Sequence, residues 1–264
     1  ELLLARGVFA HNGAFIHEAT DHQAPSVGYH FAFKRFYRSS IRYSGILGHN
    51  WDHIYNIRVV PDPPVDHEPV KGGWKEHFDP AGRSGDLTYH HGTGRVTGHR
   101  FASWEHRDIR WCEGRFTAVV TTYRQNNGEN FEIQRYAVTS GTGPVPDPIF
   151  YRIRTSNGTR ILLNCHGYVV RIRDPNHNKM AFGYGPPFNP STGFFVLKRI
   201  MDTNGRRYDL HYEIIEGIPR LRSLADFVKP QARMVEFHYD GQVQLEKVSL
   251  VEGDFGRPEL KYRY

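Results

Sequence analysis

The stretch Phe195-Val-Leu-Lys-Arg-Ile-Met-Asp202-Thr-Asn-Gly205-Arg-Arg-Tyr-Asp-Leu-His-Tyr212 decides the fold. Asp202-Thr-Asn-Gly205 is turn chemistry, because the carboxylate accepts backbone N–H bonds and Asn-Gly tolerates positive φ. Beyond it Tyr208, Leu210 and Tyr212 fall on one face, and Asp209 and His211 on the other. Alternation at period 2 marks a half-buried strand. Before the turn, Val196, Lys198 and Ile200 share one face and Leu197, Arg199 and Met201 the other, and the pattern does not say which is buried. The segment reads as a β-hairpin.

Outward from this hairpin the pattern recurs. Gly167 to Asp174, Pro175-Asn176-His-Asn178 and Lys179 to Tyr184 precede it; Ile218 to Asp226 with Arg233 to Asp240, and Gly241 to Val248 closing on Leu260 to Tyr264, follow it. Ile172, Ile200, Leu224 and Val248 are 28, 24 and 24 residues apart, and Tyr184, Tyr212, Tyr239 and Tyr264 are 28, 27 and 25 apart. Two markers with one period identify a repeat. A lone hairpin is marginal in water, whereas stacked hairpins share a buried face. The recurrence makes Asp174, Asn176, Asp202, Asn204, Gly205 and Asp226 repeat-turn residues, and Tyr184, Tyr212, Tyr239 and Tyr264 core aromatics. The alternative for Tyr212, Tyr239, Tyr262 and Tyr264 is stacking on sugar rings.

The middle of the chain keeps the rhythm less regularly. Phe150 to Thr155, Ser156-Asn-Gly158 and Thr159 to Leu163 form one hairpin; Arg115 to Tyr123, Asn126-Asn-Gly128 and Asn130 to Tyr136 form another. Trp74 to Phe78 and Asp86 to His90 read as shorter strands about an Ala81-Gly82-Arg83 turn. Pro-rich loops at 61–69 and 141–148 are surface insertions or subdomain joints. The expected organisation is an N-terminal module at 1–60, degenerate hairpins at 61–149 and regular repeats at 150–264. Composition agrees with an all-β chain: aromatics are 14% of 264 residues, with 26 Gly and 16 Pro and only 3 Met. The net charge of +6 is spread among interleaved acids, so a mixed surface is the first reading and an anionic partner the second. No Lys/Arg block or nucleic-acid module appears, and no run approaches the ~18 apolar residues of a membrane span.

The N-terminal segment supplies a resemblance. Gly13-Ala-Phe15, Phe31-Ala-Phe33-Lys-Arg35-Phe-Tyr37-Arg38-Ser39-Ser40 and Ser44-Gly-Ile-Leu47-Gly48-His-Asn-Trp51 resemble the opening module of Rhs proteins, and the Tyr-ending Asp-x-Asn-Gly units resemble YD repeats. The motif residues are Arg35, Tyr37, Arg38, Ser39, Leu47, Gly48 and Trp51. The resemblance implies an antiparallel sheet of hairpin repeats curled into a shell, which in the bacterial toxins encloses a toxic domain released by a self-cleaving aspartyl motif. With four recognisable repeats, and neither that motif nor a toxin domain before Tyr264, the chain is expected to be an N-terminal portion or a reduced relative. It opens on Glu1 rather than Met, so an upstream segment is expected to have been removed or to lie outside this sequence.

Candidate chemistry is sparse. The 16 His prompt a metal search, and His49 and His53, with Asp52 between them, are weak candidates because a strand would turn both to one side. The His count also suggests pH-sensitive assembly near pH ~6. Asp174, Asp202 and Asp226 recur at the repeat period, which points to turn capping rather than paired catalytic carboxylates. Asn157-Gly-Thr159 is a glycosylation sequon and also a hairpin turn. Cys112 and Cys165 are either a disulfide or two reduced thiols. The expectation is a secreted or surface-exposed structural module, neither an enzyme nor a cofactor protein, partnered by further repeats or copies of itself. The alternatives are an adhesin for a glycan or cell-surface receptor, and the N-terminal shell portion of a toxin.

Overall fold

The structure is a computed structural model, described here for residues 3–4, 7–9, 13–41, 43–61, 68–70, 73–75, 86–93, 95–111, 114–125, 131–142, 149–188, 194–226 and 233–252. All regular elements among them are strands. The first seven are β1 (Leu3–Leu4), β2 (Val8–Phe9), β3 (Ile16–Ala24), β4 (Phe31–Arg38), β5 (Ser44–Gly45), β6 (Gly48–His49) and β7 (Trp51–His53). Ten follow: β8 (Ile57–Pro61), β9 (Glu68–Val70), β10 (Gly73–Lys75), β11 (Leu87–His91), β12 (Val96–Trp111), β13 (Gly114–Arg124), β14 (Glu132–Thr142), β15 (Ile149–Arg154), β16 (Arg160–Leu163) and β17 (Val169–Arg173). The last six are β18 (Lys179–Tyr184), β19 (Leu197–Met201), β20 (Arg207–Ile215), β21 (Ile218–Asp226), β22 (Arg233–Tyr239) and β23 (Leu245–Glu252).

The chain divides into two compact units: one takes 1–56, 92–95 and 178–264, the other 57–91 and 96–177. In the first unit β18 to β23 form an antiparallel meander in which each strand pairs with the next. Beside the meander stand the antiparallel sheet β3-β4-β7 and the small pairs β1-β2 and β5-β6. In the second unit β11 pairs with both β8 and β12, and the meander continues to β17. Among the described strands neither meander closes on itself. The expected hairpins at 150–163 and 115–136 are β15-β16 and β13-β14. The strand at Trp74 pairs differently from the sequence reading: β10 pairs with β9, and β11 with its other neighbours. The 81–83 and 126–128 turns, Cys112, and Tyr262 to Tyr264 lie outside the described residues.

The turns share one geometry. In five of them the N–H of the fourth residue donates to the first residue's carbonyl: Gly158 to Thr155, Gly167 to Asn164, His177 to Asp174, Gly205 to Asp202 and Val243 to Asp240. Each donor has positive φ, between 60° and 81°. This is a type I turn closed by a left-handed residue, which suits a twisted hairpin. At Asp202 the Oδ1 also accepts from the N–H of Asn204 and Arg206, both at 2.9 Å. Asn164 and Asp240 repeat that arrangement.

The strands are phased by bulges. Register shifts occur at Gly183/Tyr184, His211/Tyr212 and His238/Tyr239, where the facing strands leave Lys198, Arg222 and Glu246 unpaired. A bulge moves the side-chain alternation by one, so Leu197 and Ile200 are both buried although three residues apart. That is why the two faces of this opening strand are indistinguishable in the sequence. The repeat tyrosines sit at the bulges and mend the interrupted ladder: Tyr212 donates to the carbonyl of Leu197 at 2.7 Å and Tyr239 to that of Leu221 at 2.8 Å.

At Gly205 φ is +81° and a Cβ would meet nothing within 4 Å. Gly205→Ala therefore carries only the left-handed backbone penalty. Equilibrium urea unfolding is expected to show a loss of about 1–2 kcal/mol, whereas an unchanged midpoint would contradict this turn geometry.

Candidate functional site: the seam between N-terminal strands and repeats

Within the first unit the N-terminal strands pack against the repeat strands. Phe31, Phe33 and Arg35 alternate on β4 and are each fully buried. The Phe31 ring stacks on Tyr208 with centroids 3.5 Å apart, and Phe33 meets Phe237 edge-on at 5.9 Å. Tyr55 joins from the loop after β7, stacking on Phe31 at 5.6 Å and lying against Phe182 at the same distance. The β5-β6 hairpin docks by its backbone. The carbonyl of Ile46 accepts from the Leu221 N–H at 2.7 Å and from the Tyr239 hydroxyl at 3.1 Å. Arg220, 1% exposed, donates to the Gly45 carbonyl and to Ser44 Oγ. Burial pushes its pKa down. Gly48, at φ +91°, is where the backbones approach: a Cβ there would lie 2.7 Å from the Val243 carbonyl oxygen.

Two buried ionic groups tie the elements together. Asp21 occupies a bulge in β3, between Thr20 and His22, and accepts from Arg35 Nε at 2.6 Å. Both side chains are almost fully buried, and the Arg35 guanidinium lies 4.7 Å from the Trp51 ring centroid. Burial raises the Asp21 pKa against the opposing pull of Arg35. Asp226, 1% exposed, holds Arg206 through both carboxylate oxygens, at 2.9 and 2.5 Å, and His22 Nε2 at 2.8 Å. Burial pushes the Asp226 carboxyl up, but hydrogen bonds from Arg206 and then His22 outweigh it and hold the pKa below the ordinary value. Burial lowers the His22 pKa despite Asp226, so the imidazole is neutral and its Nε2–H donates to the carboxylate.

A His–Asp contact invites a catalytic reading, but its setting is sealed. Side-chain exposure is 5% for His22 and 1% for Asp226, and the imidazole lies against the rings of Phe31 and Tyr208. The arrangement orders the seam.

Most residues singled out from the sequence take structural posts. Arg38 Nε donates to the Thr93 carbonyl at 2.9 Å, and Ser39 Oγ accepts from the Phe15 N–H at 2.8 Å. Leu47 is fully buried, and Tyr37 packs on Trp51 at 5.3 Å. Asp202, Asn204 and Gly205 form the turn described above; Asp174 heads another, which includes Asn176. Asp226 differs from the turn-capping reading, because it ends β21 opposite Arg233 and spends its carboxylate on Arg206 and His22. Tyr184 is half-buried at its bulge. His49 and His53 are not on one strand: Asn50, at φ 61°, separates β6 from β7. His53 is 2% exposed and stacked on Phe33 at 5.3 Å, and burial lowers its pKa to about 3. Among the described residues no group of three His, Cys, Asp or Glu gathers to hold a metal. Cys165 is half-buried in the turn after β16. The sequence reading missed His22 and Arg220. Arg35 was detectable as a charge in phase with Phe31 and Phe33.

Comparison with known proteins agrees with this geometry. Residues 6–70 match a family model described as a domain of unknown function, DUF6531. No curated protein matches the sequence. Several solved structures share the fold. The Photorhabdus luminescens Tc holotoxin pore carrying a TccC3 mutation aligns at TM-score 0.60 and 11% identity, over 90% of this chain and 15% of that one. TcdB2-TccC3 aligns at 0.60 and 13%, over 92% and 16%. The N-terminal domain of the effector protein SpvB from Salmonella typhimurium strain LT2 aligns at 0.53 and 10%, over 91% and 97%. The chain thus spans about a sixth of the Tc-toxin chains and nearly all of the SpvB domain. Its fold is that of these toxin-associated β proteins.

The seam titrates in a predictable direction. His22, His53 and, in the second unit, His90 all have pKa values lowered by burial, to about 3 for His53 and about 4 for His90. Below the ordinary value of ~6.5 the unfolded chain takes up protons that the folded chain refuses. Stability is therefore full above pH ~6.5 and falls on acidification, by about 1.4 kcal/mol per pH unit for a histidine as buried as His53. Thermal melts are expected to give a clearly lower midpoint at pH 5 than at pH 7.5, with His53→Gln flattening part of the slope. Equal midpoints at the two pH values would contradict the buried neutral histidines.

Proposed function

We propose that the chain is a non-catalytic shell module of Rhs/YD-repeat type, in which the N-terminal strands cover the repeats and the repeat strands extend into a toxin-associated β-shell. The observation that carries this reading is the seam. Phe31 and Phe33 on Tyr208 and Phe237, with Ile46 bonded to Leu221 and Tyr239, show the repeat strands covered by the chain's own N-terminal strands. The other support is the likeness to the SpvB N-terminal domain and the Tc-toxin chains, with the family-model match falling on the segment that resembles the Rhs opening module. A secreted or translocated location follows from the same reading, as does a toxic segment as the object enclosed or carried.

The partner at the sheet edge is part of the proposal. Among the described residues β23 pairs only with β22, and its other side has the backbone donors and acceptors to take a further strand. Further repeats of the same polypeptide, or a second copy, would satisfy them. Light scattering of the purified chain over a concentration series is expected to show association beyond the monomer. Adding a segment carrying further Tyr-ending repeats from the same gene is expected to suppress it. A monomer at all concentrations, indifferent to such a segment, would overturn the edge-extension reading in favour of an adhesin.

A further inference from the structure

The second unit carries a row of arginines that the shell reading does not use. Successive antiparallel registers place Arg100 opposite Arg124, Arg124 opposite Glu132, Glu132 opposite Arg154, Arg154 opposite Arg160, and Arg160 opposite Arg173. Residues directly opposite in a sheet point to the same face, so these six form one line across β12 to β17, five arginines against one glutamate. The neighbours that alternate with them, Tyr123, Ile133, Ile153 and Ile161, are buried on the other face. At one strand per ~4.8 Å, the line from Arg124 to Arg173 covers about 19 Å.

Like charges directly opposite one another oppose pairing, and this row contains three such pairs. Local acids relieve only part of it. Glu132 takes Arg124 at 2.6 Å, and Asp86 stands 4.0 Å from Arg100. Among the described residues Arg154 and Arg160 have no ion-pair partner, and both are exposed. They border a groove of about 860 Å³ that also takes in Arg107, Arg124 and Arg152. Its floor is fixed: Tyr136 is fully buried, its hydroxyl accepts from Arg107 and Arg152, both at 3.2 Å, and donates to Gln134 at 2.9 Å. The Arg152 guanidinium is 4.8 Å from the Tyr136 ring centroid, so Arg107 and Arg152 are held in place before any ligand arrives.

We propose that this arginine row binds a polyanionic oligosaccharide of the sulfated type, laid across the strands. Guanidinium groups pair bidentately with sulfate and carboxylate oxygens. Gln125, Gln134, Thr155 and Ser156 line the same groove and offer hydrogen bonds to hydroxyls. The groove lies on a sheet face whose backbone groups are spent on the ladder, so it reads pendant groups rather than a peptide backbone. That feature favours the sugar over an acidic peptide. The inference goes beyond the shell proposal and stands on β12 to β17 alone.

The test is titration calorimetry of the full chain with a heparin-type octasaccharide. Binding is expected, weakening as salt rises. Arg154→Glu and Arg160→Glu are each expected to weaken it about tenfold, while Arg115→Glu, the same charge change at an exposed β13 position on the opposite face, leaves it nearly unchanged. Arg160→Glu also turns a like-charge pair with Arg154 into an opposite-charge pair, so its melting temperature is expected to equal or exceed that of the parent chain. Arg160→Gln serves as the neutral variant if a reversal fails to fold. Absence of binding, equal loss in Arg115→Glu, or equally tight binding of a polyglutamate of matched charge would each overturn the proposal, the last in favour of an acidic peptide.

Discussion

Strands β20 to β22 present an apolar face that the repeat hairpins alone leave uncovered, and covering that face is the constraint on which the first unit depends. Tyr208, Leu210, Leu221, Leu224, Val235 and Phe237 are each 2% exposed or less. From the N-terminal segment Phe31, Phe33 and Leu47 are fully buried and Trp51 nearly so. Each large side chain fully buried stabilises by about 1.5–3 kcal/mol, and well-placed aromatic pairs add about 0.5–1.5 kcal/mol. Buried ion pairs come close to breaking even, because desolvation opposes their attraction. The aromatic contacts therefore hold the seam together. Asp21–Arg35 and His22–Asp226–Arg206 fix how it is assembled, since a buried charge left without its partner costs about 3–5 kcal/mol.

The repeats solve a local problem in the same way each time. A bulge re-phases the opening strand, interrupts the ladder, and is accompanied by a tyrosine whose hydroxyl serves a nearby backbone carbonyl at Tyr212 and Tyr239. The turn beyond is closed by a left-handed residue. Where that residue is Val243 rather than glycine, at φ 60°, it is 2% exposed, so burial of its side chain offsets the backbone strain. The second unit shows what the same architecture does with its two faces. One carries Tyr123, Ile133 and Ile153 into a core, and the other carries cations over a small cluster of Ala118, Val120, Tyr136 and Phe150.

Much of this was legible in the sequence where the signal is local. The Asp202-Thr-Asn-Gly205 turn, the alternation of Tyr208 to Tyr212 and the 24–28-residue period each depend on neighbouring residues, and each led to the all-β hairpin fold. What failed to show depends on register. Asp226 resembles the other repeat aspartates by position, yet its partners are 20 and 204 residues away. His49 and His53 look like one strand until Asn50 takes a left-handed conformation between them. The arginine row is intermediate: Arg154 and Arg160 flank a recognisable turn, but aligning them with Arg124 and Arg173 needs the pairings of three other strands.

The central claim is that N-terminal strands and repeats form one cooperative body. Native-state hydrogen exchange across a denaturant series tests it most directly, by comparing the backbone amides of Phe33 on β4 and Leu224 on β21. The account expects the two to converge on one opening free energy with one denaturant slope, as residues of a single unfolding unit do. Exchange of Phe33 at a distinctly lower opening free energy, with Leu224 still protected, would contradict it and make the N-terminal strands a detachable appendage of self-sufficient repeats.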